Sequence, residues 1–198
     1  MNTKKQQIIA ASIRLFAQDG VGVSTAAIAK EAGVSNGTLF NHFETKQILI
    51  DEVYIFVKQN MADVILSHVD FSASVFDVCF TLWIAFANWS YDHLTEYRAM
   101  NVLNTSQLLG DTARQYVEGL WGPMFDKLED AQQSGILHPT CPELICINMQ
   151  SYLHALVAYT NRKQYSQQER EKIFREAFRV FWRGIAMSTS CLDLNGFD

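Results

Sequence analysis

An all-α fold is predicted by the way this chain is punctuated. Three prolines and ten glycines in 198 residues are too few turn makers for a protein of many strands. Glu, Lys, Gln, Ala and Leu fill the long stretches between them, and apolar residues recur there every three or four positions. A composition of 48% hydrophobic and 19% charged residues is globular and allows a sizeable core. Caps and glycines divide the pattern into about nine helices.

Ile8, Ile9, Ile13, Leu15 and Phe16 keep helical spacing, and Asp19-Gly20 stops the first helix. Ser24 or Thr25 caps a short second helix over Ala26–Ala32. Gly33-Val34-Ser35 is a tight turn, and Ser35 caps a third helix over Asn36–His42. Thr45 caps a longer fourth helix, Lys46 to about His68, on Ile48, Leu49, Val53, Phe56, Val57, Met61, Val64 and Ile65. From Ser72 to about Tyr91 the chain is apolar nearly all round with Asp77 as its one charge, so neighbours should cover it on several sides. A short helix, Thr95 to Leu103, follows. Another runs from about Ser106 to Gln133, with breaks or kinks expected at Gly110, Gly119 and Gly122-Pro123. After a loop over Gly135–Pro142, Glu143–Arg162 is a helix with no charge between Leu144 and Asn161. Ser166 caps the last helix, with Phe174, Phe178, Phe181 and Ile185 on one stripe and Arg170, Arg175, Arg179 and Arg183 opposite. Ser188–Asp198 reads as a tail.

Several classes are excluded or disfavoured. The longest apolar run, Val78 to Ala87, is too short to span a bilayer, and no secretory signal opens the sequence. The cytoplasm is the expected compartment. Cys79, Cys141, Cys146 and Cys191 have no disulfide-framework spacing. His138, Cys141 and Cys146 fit no zinc pattern, so no metal and no cofactor are expected. No G-x-S-x-G, Walker or H-E-x-x-H sequence occurs, and no paired acid/base or nucleophile motif supports an enzyme. The net charge of −5 is uneven: residues 1–50 carry +2 and the remainder −7.

The stretch Thr25–Phe43 carries the chemistry. Two short helices joined by a three-residue turn with a glycine form a helix-turn-helix. Ala29 is small where the helices cross, and Gly33 can take the positive φ of a sharp turn. Ile28, Val34 and Leu39 make the small core that fixes the crossing. The third helix presents Asn36, Thr38, Asn41 and His42, with Gly37 removing bulk at its start. Such a helix end can approach phosphate and enter a major groove. Spacing alone also fits an αα-corner in a helical bundle.

The run Gly33-Val34-Ser35-Asn36-Gly37-Thr38-Leu39-Phe40-Asn41-His42-Phe43, followed by Thr45-Lys46 and Leu49, resembles the N-terminal module of the TetR family of transcriptional regulators. Ile9, Ala11, Leu15-Phe16 and Gly20 in the first helix, and Thr25 with Ile28-Ala29 in the second, fit the same pattern. The resemblance covers about the first fifty residues. It implies an all-α homodimer with a three-helix DNA-binding head (1–48), a larger helical ligand-binding and dimerisation domain (49–188) and a C-terminal tail (189–198). It implies that Thr25 and Lys46 reach phosphate. Asn36, Thr38, Phe40, Asn41 and His42 face the DNA, with Ser35 and Gly37 at the helix start. Phe40 replaces the family's usual Tyr, which removes a phenolic phosphate contact and leaves a ring for a thymine methyl. Gln47 replaces a common Glu, which should alter local charge more than fold.

Twenty-one of the 24 aromatic residues lie after residue 50. Core packing accounts for most of them, yet so many large flat groups often leave a cavity between helices. The candidate ligand-lining set is Trp83, Phe86, Asn88, His93, Tyr116, Trp121, Phe125, Tyr152 and His154. A flat or hydrophobic ligand suits it, and a cation would gain from the rings and the acidic charge. The last two helices have more apolar faces than one core can cover, so Ile145, Met149, Leu156, Phe174, Phe178, Phe181 and Trp182 are the candidate dimer contacts. The expected function is a dimeric repressor released from a palindromic double-stranded DNA operator by a hydrophobic or aromatic effector. A DNA-binding architectural protein without a small ligand, or an all-α enzyme, are the alternatives.

Overall fold

The computed structural model describes residues 3–187; Cys191 and the expected tail lie outside them. Ten helices occur among the described residues: α1 (Lys4–Asp19), α2 (Thr25–Glu31), α3 (Asn36–His42), α4 (Lys46–Leu66), α5 (Val75–Asp92), α6 (Leu94–Thr105), α7 (Asp111–Gly119), α8 (Gly122–Gln133), α9 (Pro142–Lys163) and α10 (Gln167–Ile185). The tenth arises because the segment expected as one kinked helix is two. The chain leaves α7 after Gly119 and re-enters α8 at Gly122, where Pro123 occupies a first-turn position that needs no N–H. The loop before α9 ends one residue early for the same reason, with Pro142 opening the helix.

Side-chain caps set most helix starts. Thr3 and Gln6 form a reciprocal capping box at α1, and Ser166 and Glu169 form another at α10. Of the two possible caps of α2, Ser24 is the one used, accepting from the Ala27 N–H at 3.2 Å. α5 starts at Val75 rather than at Ser72, with Ser74 as its cap accepting from the Asp77 N–H at 3.1 Å.

The chain divides into two compact units. The first comprises the chain up to Val64 together with Trp89–Leu120; the second comprises Ile65–Asn88 with the chain from Trp121 onward. In the first, α1 packs on α2, α3 and α6. The buried stripe of α4 is Leu49, Ile50, Val53, Tyr54, Val57, Lys58, Met61 and Ala62, whereas Ile48, Phe56 and Val64 are exposed. In the second, rings fill the core. Trp83 is fully buried, donates its indole N–H to the Phe174 carbonyl at 2.9 Å, and stacks on Phe181 at 5.4 Å. Phe76 meets Phe178 and Trp182 edge-on. The end of α8 closes with Gly135 at φ 71°, and the chain then pairs Leu137 with Ala186 in one isolated bridge.

Candidate nucleic-acid interface

The turn between α2 and α3 is fixed by its own hydrogen bonds. Gly33 has φ 67°, a conformation that side chains disfavour. Its N–H donates to Lys30 O at 3.1 Å, and the Val34 N–H donates to Ala29 O at 3.0 Å. These two bonds satisfy the last carbonyls of α2 and turn the chain sharply into α3. Ile28 and Leu39 are fully buried and Ala29 nearly so, which sets the angle between the helices. Ser35 then caps α3. Its hydroxyl oxygen accepts from the Thr38 N–H at 3.0 Å and lies 2.9 Å from the Thr38 hydroxyl.

That arrangement leaves a polar face outward. Ser35, Asn36, Gly37, Phe40, Asn41 and His42 are exposed, and Thr25, Thr38 and Lys46 are half-buried. Phe40 is 39% exposed, an apolar ring on an otherwise polar surface. At Gly37 an added Cβ would meet nothing closer than Ser35 Oγ at 3.8 Å, so the chain itself does not demand glycine there. The nine residues expected to face DNA thus come from one end of α2, the whole of α3 and the first residue of α4.

The positive charge is distributed less freely than its count suggests. Lys5 pairs with Glu52 at 2.5 Å and lies over the Phe43 ring at 5.5 Å. Arg14 pairs with Glu31 at 3.0 Å. Lys4, Lys30 and Lys46 form no such pair among the described residues and remain available to phosphate.

Gln47 does more than sequence reading assigned to it. Its amide donates to Asp51 Oδ1 at 3.1 Å and to the Leu108 carbonyl. Asp51 Oδ1 also accepts from the Gly110 N–H at 2.9 Å. The first turns of α4 therefore hold the α6–α7 connection. A glutamate at 47 could not donate to Leu108, and only the fold shows a partner 61 positions away.

The candidate ligand set is divided between the units. His93 and Tyr116 lie in the first; His93 stacks on Trp89, and the exposed Tyr116 hydroxyl donates to Gln59. The others lie in the second. There Trp83 meets Tyr152 edge-on at 5.7 Å, and Phe86 meets His154 at 5.4 Å. Trp121 and Phe125 are half-buried and Asn88 is exposed.

Of the candidate dimer contacts, Ile145, Phe174, Phe178, Phe181 and Trp182 are buried within one chain, and Met149 and Leu156 are half-buried. These five buried side chains are core residues of the chain's own second unit. The apolar surface left open on the same helices is Leu144, Ile147, Tyr152 and Tyr159 of α9 and Val180 of α10, with Met187 just beyond. A depression of about 450 Å³ lies on it, lined by Asn148, Ser151, Tyr152, Val180, Phe181, Gly184 and Ile185.

No group of His, Cys, Asp and Glu able to hold a metal occurs among the described residues. Burial pushes the Cys79 thiol up to about 12 and Cys146 up to about 11, so both are held as protonated thiols at neutral pH. Among the described residues no helix is long and apolar enough to cross a membrane.

A capped helix-turn-helix with a polar outer face on its second helix is the element that helix-turn-helix proteins place in a major groove. Residues 8–53 match the profile of the bacterial regulatory proteins of the tetR family. The uncharacterized HTH-type transcriptional regulator YerO of Bacillus subtilis (strain 168) is 44% identical over 64 residues, 30% of this chain and 22% of that protein. The HTH-type transcriptional regulator AcrR of Shigella flexneri is 35% identical over 65 residues, 32% of this chain and 30% of that one. The aligned part thus spans less than a third of either relative. A TetR family transcription regulator from Shewanella sp. PV-4 matches along the whole fold, with a TM-score of 0.84 at 29% identity over 94% of this chain and 100% of that one. Residues 8–53 are thus similar to the DNA-binding module of the tetR family, and the fold as a whole is similar to that of a TetR family transcription regulator.

Proposed function

We propose that the chain acts in the cytoplasm as a homodimeric repressor, reading a palindromic operator with α3 and releasing it when a small hydrophobic or aromatic molecule binds its later helices. The observation that carries this reading is the outer face of α3. Asn36, Asn41 and His42 stand exposed on a helix pinned by the Ser35 cap and the Gly33 turn. Side chains of that kind hydrogen-bond to base edges, and a rigid scaffold keeps the entropy cost of doing so low. Lys46 adds a phosphate contact from α4.

Dimerisation is supported by the open apolar surface of α9 and α10. Ser151, Ala155 and Gly184 are small and exposed among the larger apolar groups, so helices of a second copy can approach closely. An isologous contact of this kind is the commonest oligomer geometry, and it matches two heads to two half-sites.

Effector release rests on α4. Its 21 residues extend about 31 Å from Lys46, so a tilt of a few degrees moves one end by roughly 2–3 Å. Two heads must fit one rigid duplex, so such a shift weakens both half-sites together. An effector achieves this only by binding the DNA-incompetent state better, with a coupling of about 1–3 kcal/mol.

Fluorescence anisotropy with duplexes from the chain's own promoter region tests the reading. Lys46→Ala should weaken binding alike on all sequences and lower the salt slope by about one. Asn41→Ala should relax sequence preference instead. Equal losses on specific and random DNA from Asn41→Ala would remove α3 as the reader.

A further inference from the structure

We propose that Asp51 and Gln47 are positioning residues for DNA binding: their bonds to Gly110 and Leu108 fix the first turns of α4 and so set the Lys46 ammonium where it meets phosphate. The proposal rests on the DNA-binding reading above and adds to it two side chains that do not themselves touch DNA.

Lys46 is the first residue of α4, and a long side chain at a helix start gains from a phosphate only as far as the turn beneath it is held in advance. The local anchors of that turn are the Thr45 hydroxyl, which accepts from the Ile48 N–H at 3.2 Å, and the buried Leu49 and Ile50. Two further ties come from elsewhere in the chain. Glu52 pairs with Lys5 of α1 at 2.5 Å. Asp51 Oδ1 accepts from the Gly110 N–H at 2.9 Å and from the Gln47 amide at 3.1 Å, and the same amide nitrogen donates to the Leu108 carbonyl. Because α6 packs on α1, these ties close a ring within the first unit: α1, α6, the connection over residues 106–110, and the start of α4.

The connection is shaped for this contact. Gly110 has φ −69° and ψ 150°, ordinary extended backbone that asks for no glycine. A Cβ there would stand 2.9 Å from Asp51 Oδ2, so the close approach of the carboxylate is what the glycine permits. Gly110 is also the N-cap of α7, a position with no side-chain cap of its own. Asp51 supplies a negative group to that helix start from α4 instead. Leu109 beside it is buried, and the Ser106 hydroxyl bonds back to the Leu103 carbonyl at 2.8 Å, so the connection is anchored at both ends.

Charge alone predicts the opposite of positioning. Asp51 lies about 8 Å along the helix axis from Lys46, and a carboxylate so near a phosphate contact repels DNA. Were Asp51 only a charge, removing it would tighten binding. As a positioning residue, its loss loosens the turn that carries Lys46 and weakens binding.

Fluorescence anisotropy on the promoter duplex and on a random duplex, over a salt series, compares Asp51→Ala with Asp51→Asn. The two variants have the same charge, but asparagine keeps an oxygen for the Gly110 N–H and alanine does not. Asp51→Ala should bind both duplexes about threefold or more weaker than Asp51→Asn, with a salt slope lower by up to about one, the change expected for Lys46→Ala. In a Lys46→Ala background the gap between the two should close to within about twofold, because the residue they act through is gone. Gln47→Met leaves the Asp51–Gly110 bond in place and should shift affinity and slope the same way by less. Thermal melts establish which variants are folded; if Asp51→Ala is not, Gln47→Met carries the test, and binding equal to wild type overturns the proposal. Folded Asp51→Ala that binds as tightly as Asp51→Asn, or a gap undiminished without Lys46, also overturns it while leaving α3 as the reader. A wild-type chain that binds neither duplex removes the DNA-binding reading itself, and the proposal with it.

Discussion

Replacing Lys58 by methionine should stabilise the ligand-free protein at neutral pH, an uncommon outcome for a buried position. The ammonium drops from its ordinary 10.5 to about 8 on folding, because burial strips its water. Between those two values the unfolded chain holds a proton that the folded chain has released, so stability rises with pH across that window. Below pH 8 the folded state carries the full cost of the buried charge, about 3 kcal/mol for a shift of this size. Methionine removes the charge and keeps most of the volume. The lost contact with the Tyr54 ring offsets roughly 0.5–2 kcal/mol of that gain. A net gain of about 1–2 kcal/mol at pH 7 follows, worth roughly 2–8 °C in melting temperature for a chain of this length. Urea unfolding followed by tryptophan fluorescence, at one protein concentration and at pH 7 and 10, measures it. The variant should be the more stable at pH 7, and its advantage should shrink by pH 10. A variant less stable at pH 7, or a gap that ignores pH, would refute the claim that desolvation of the Lys58 ammonium costs the folded chain stability.

Gly37→Ala should leave stability unchanged or raise it by up to about 1 kcal/mol, because the added methyl has room and helices favour alanine. Anisotropy should nonetheless register at least a several-fold loss of operator affinity; an unchanged affinity would mean that the start of α3 never nears DNA. Asp51→Ala strips the Gly110 N–H and the Gln47 amide of their acceptor and should cost about 1–3 kcal/mol in urea unfolding. Gly110→Ala places a Cβ 2.9 Å from Asp51 Oδ2 and should lower the melting temperature through the same contact. Val180→Arg puts a charge on a side chain that is 61% exposed in one chain, so it should leave the chain folded and turn a dimer into a monomer by light scattering. A dimer that survives this substitution would place the interface elsewhere.

The helices and their caps were legible because they are local. Ser35, Thr45 and Ser166 cap the helices that their spacing to the next apolar run indicates. The helix-turn-helix was legible for the same reason, since Gly33, Ala29 and Leu39 act within ten residues of one another. Sidedness was harder. In α4 the apolar residues Ile48, Phe56 and Val64 are exposed and the buried stripe runs through Tyr54 and Lys58, because apolar residues occur on every side of the helix and give no single period to orient it. In α10 four large aromatics look surplus to one core, yet Phe178, Phe181 and Trp182 meet rings of α5 and Phe174 is buried with them. The Gln47–Leu108 and Asp51–Gly110 bonds join positions about sixty residues apart, which spacing cannot reveal.

The central claim is that α3 of two identical chains reads one two-fold-symmetric DNA site. The direct measurement is stoichiometric anisotropy on a palindromic duplex from the chain's own promoter, against the same duplex with one half-site scrambled. Two chains per duplex should bind the intact site, and scrambling one half should weaken binding by more than tenfold at fixed salt. Binding that is indifferent to the scrambled half, or one chain per duplex, would contradict it.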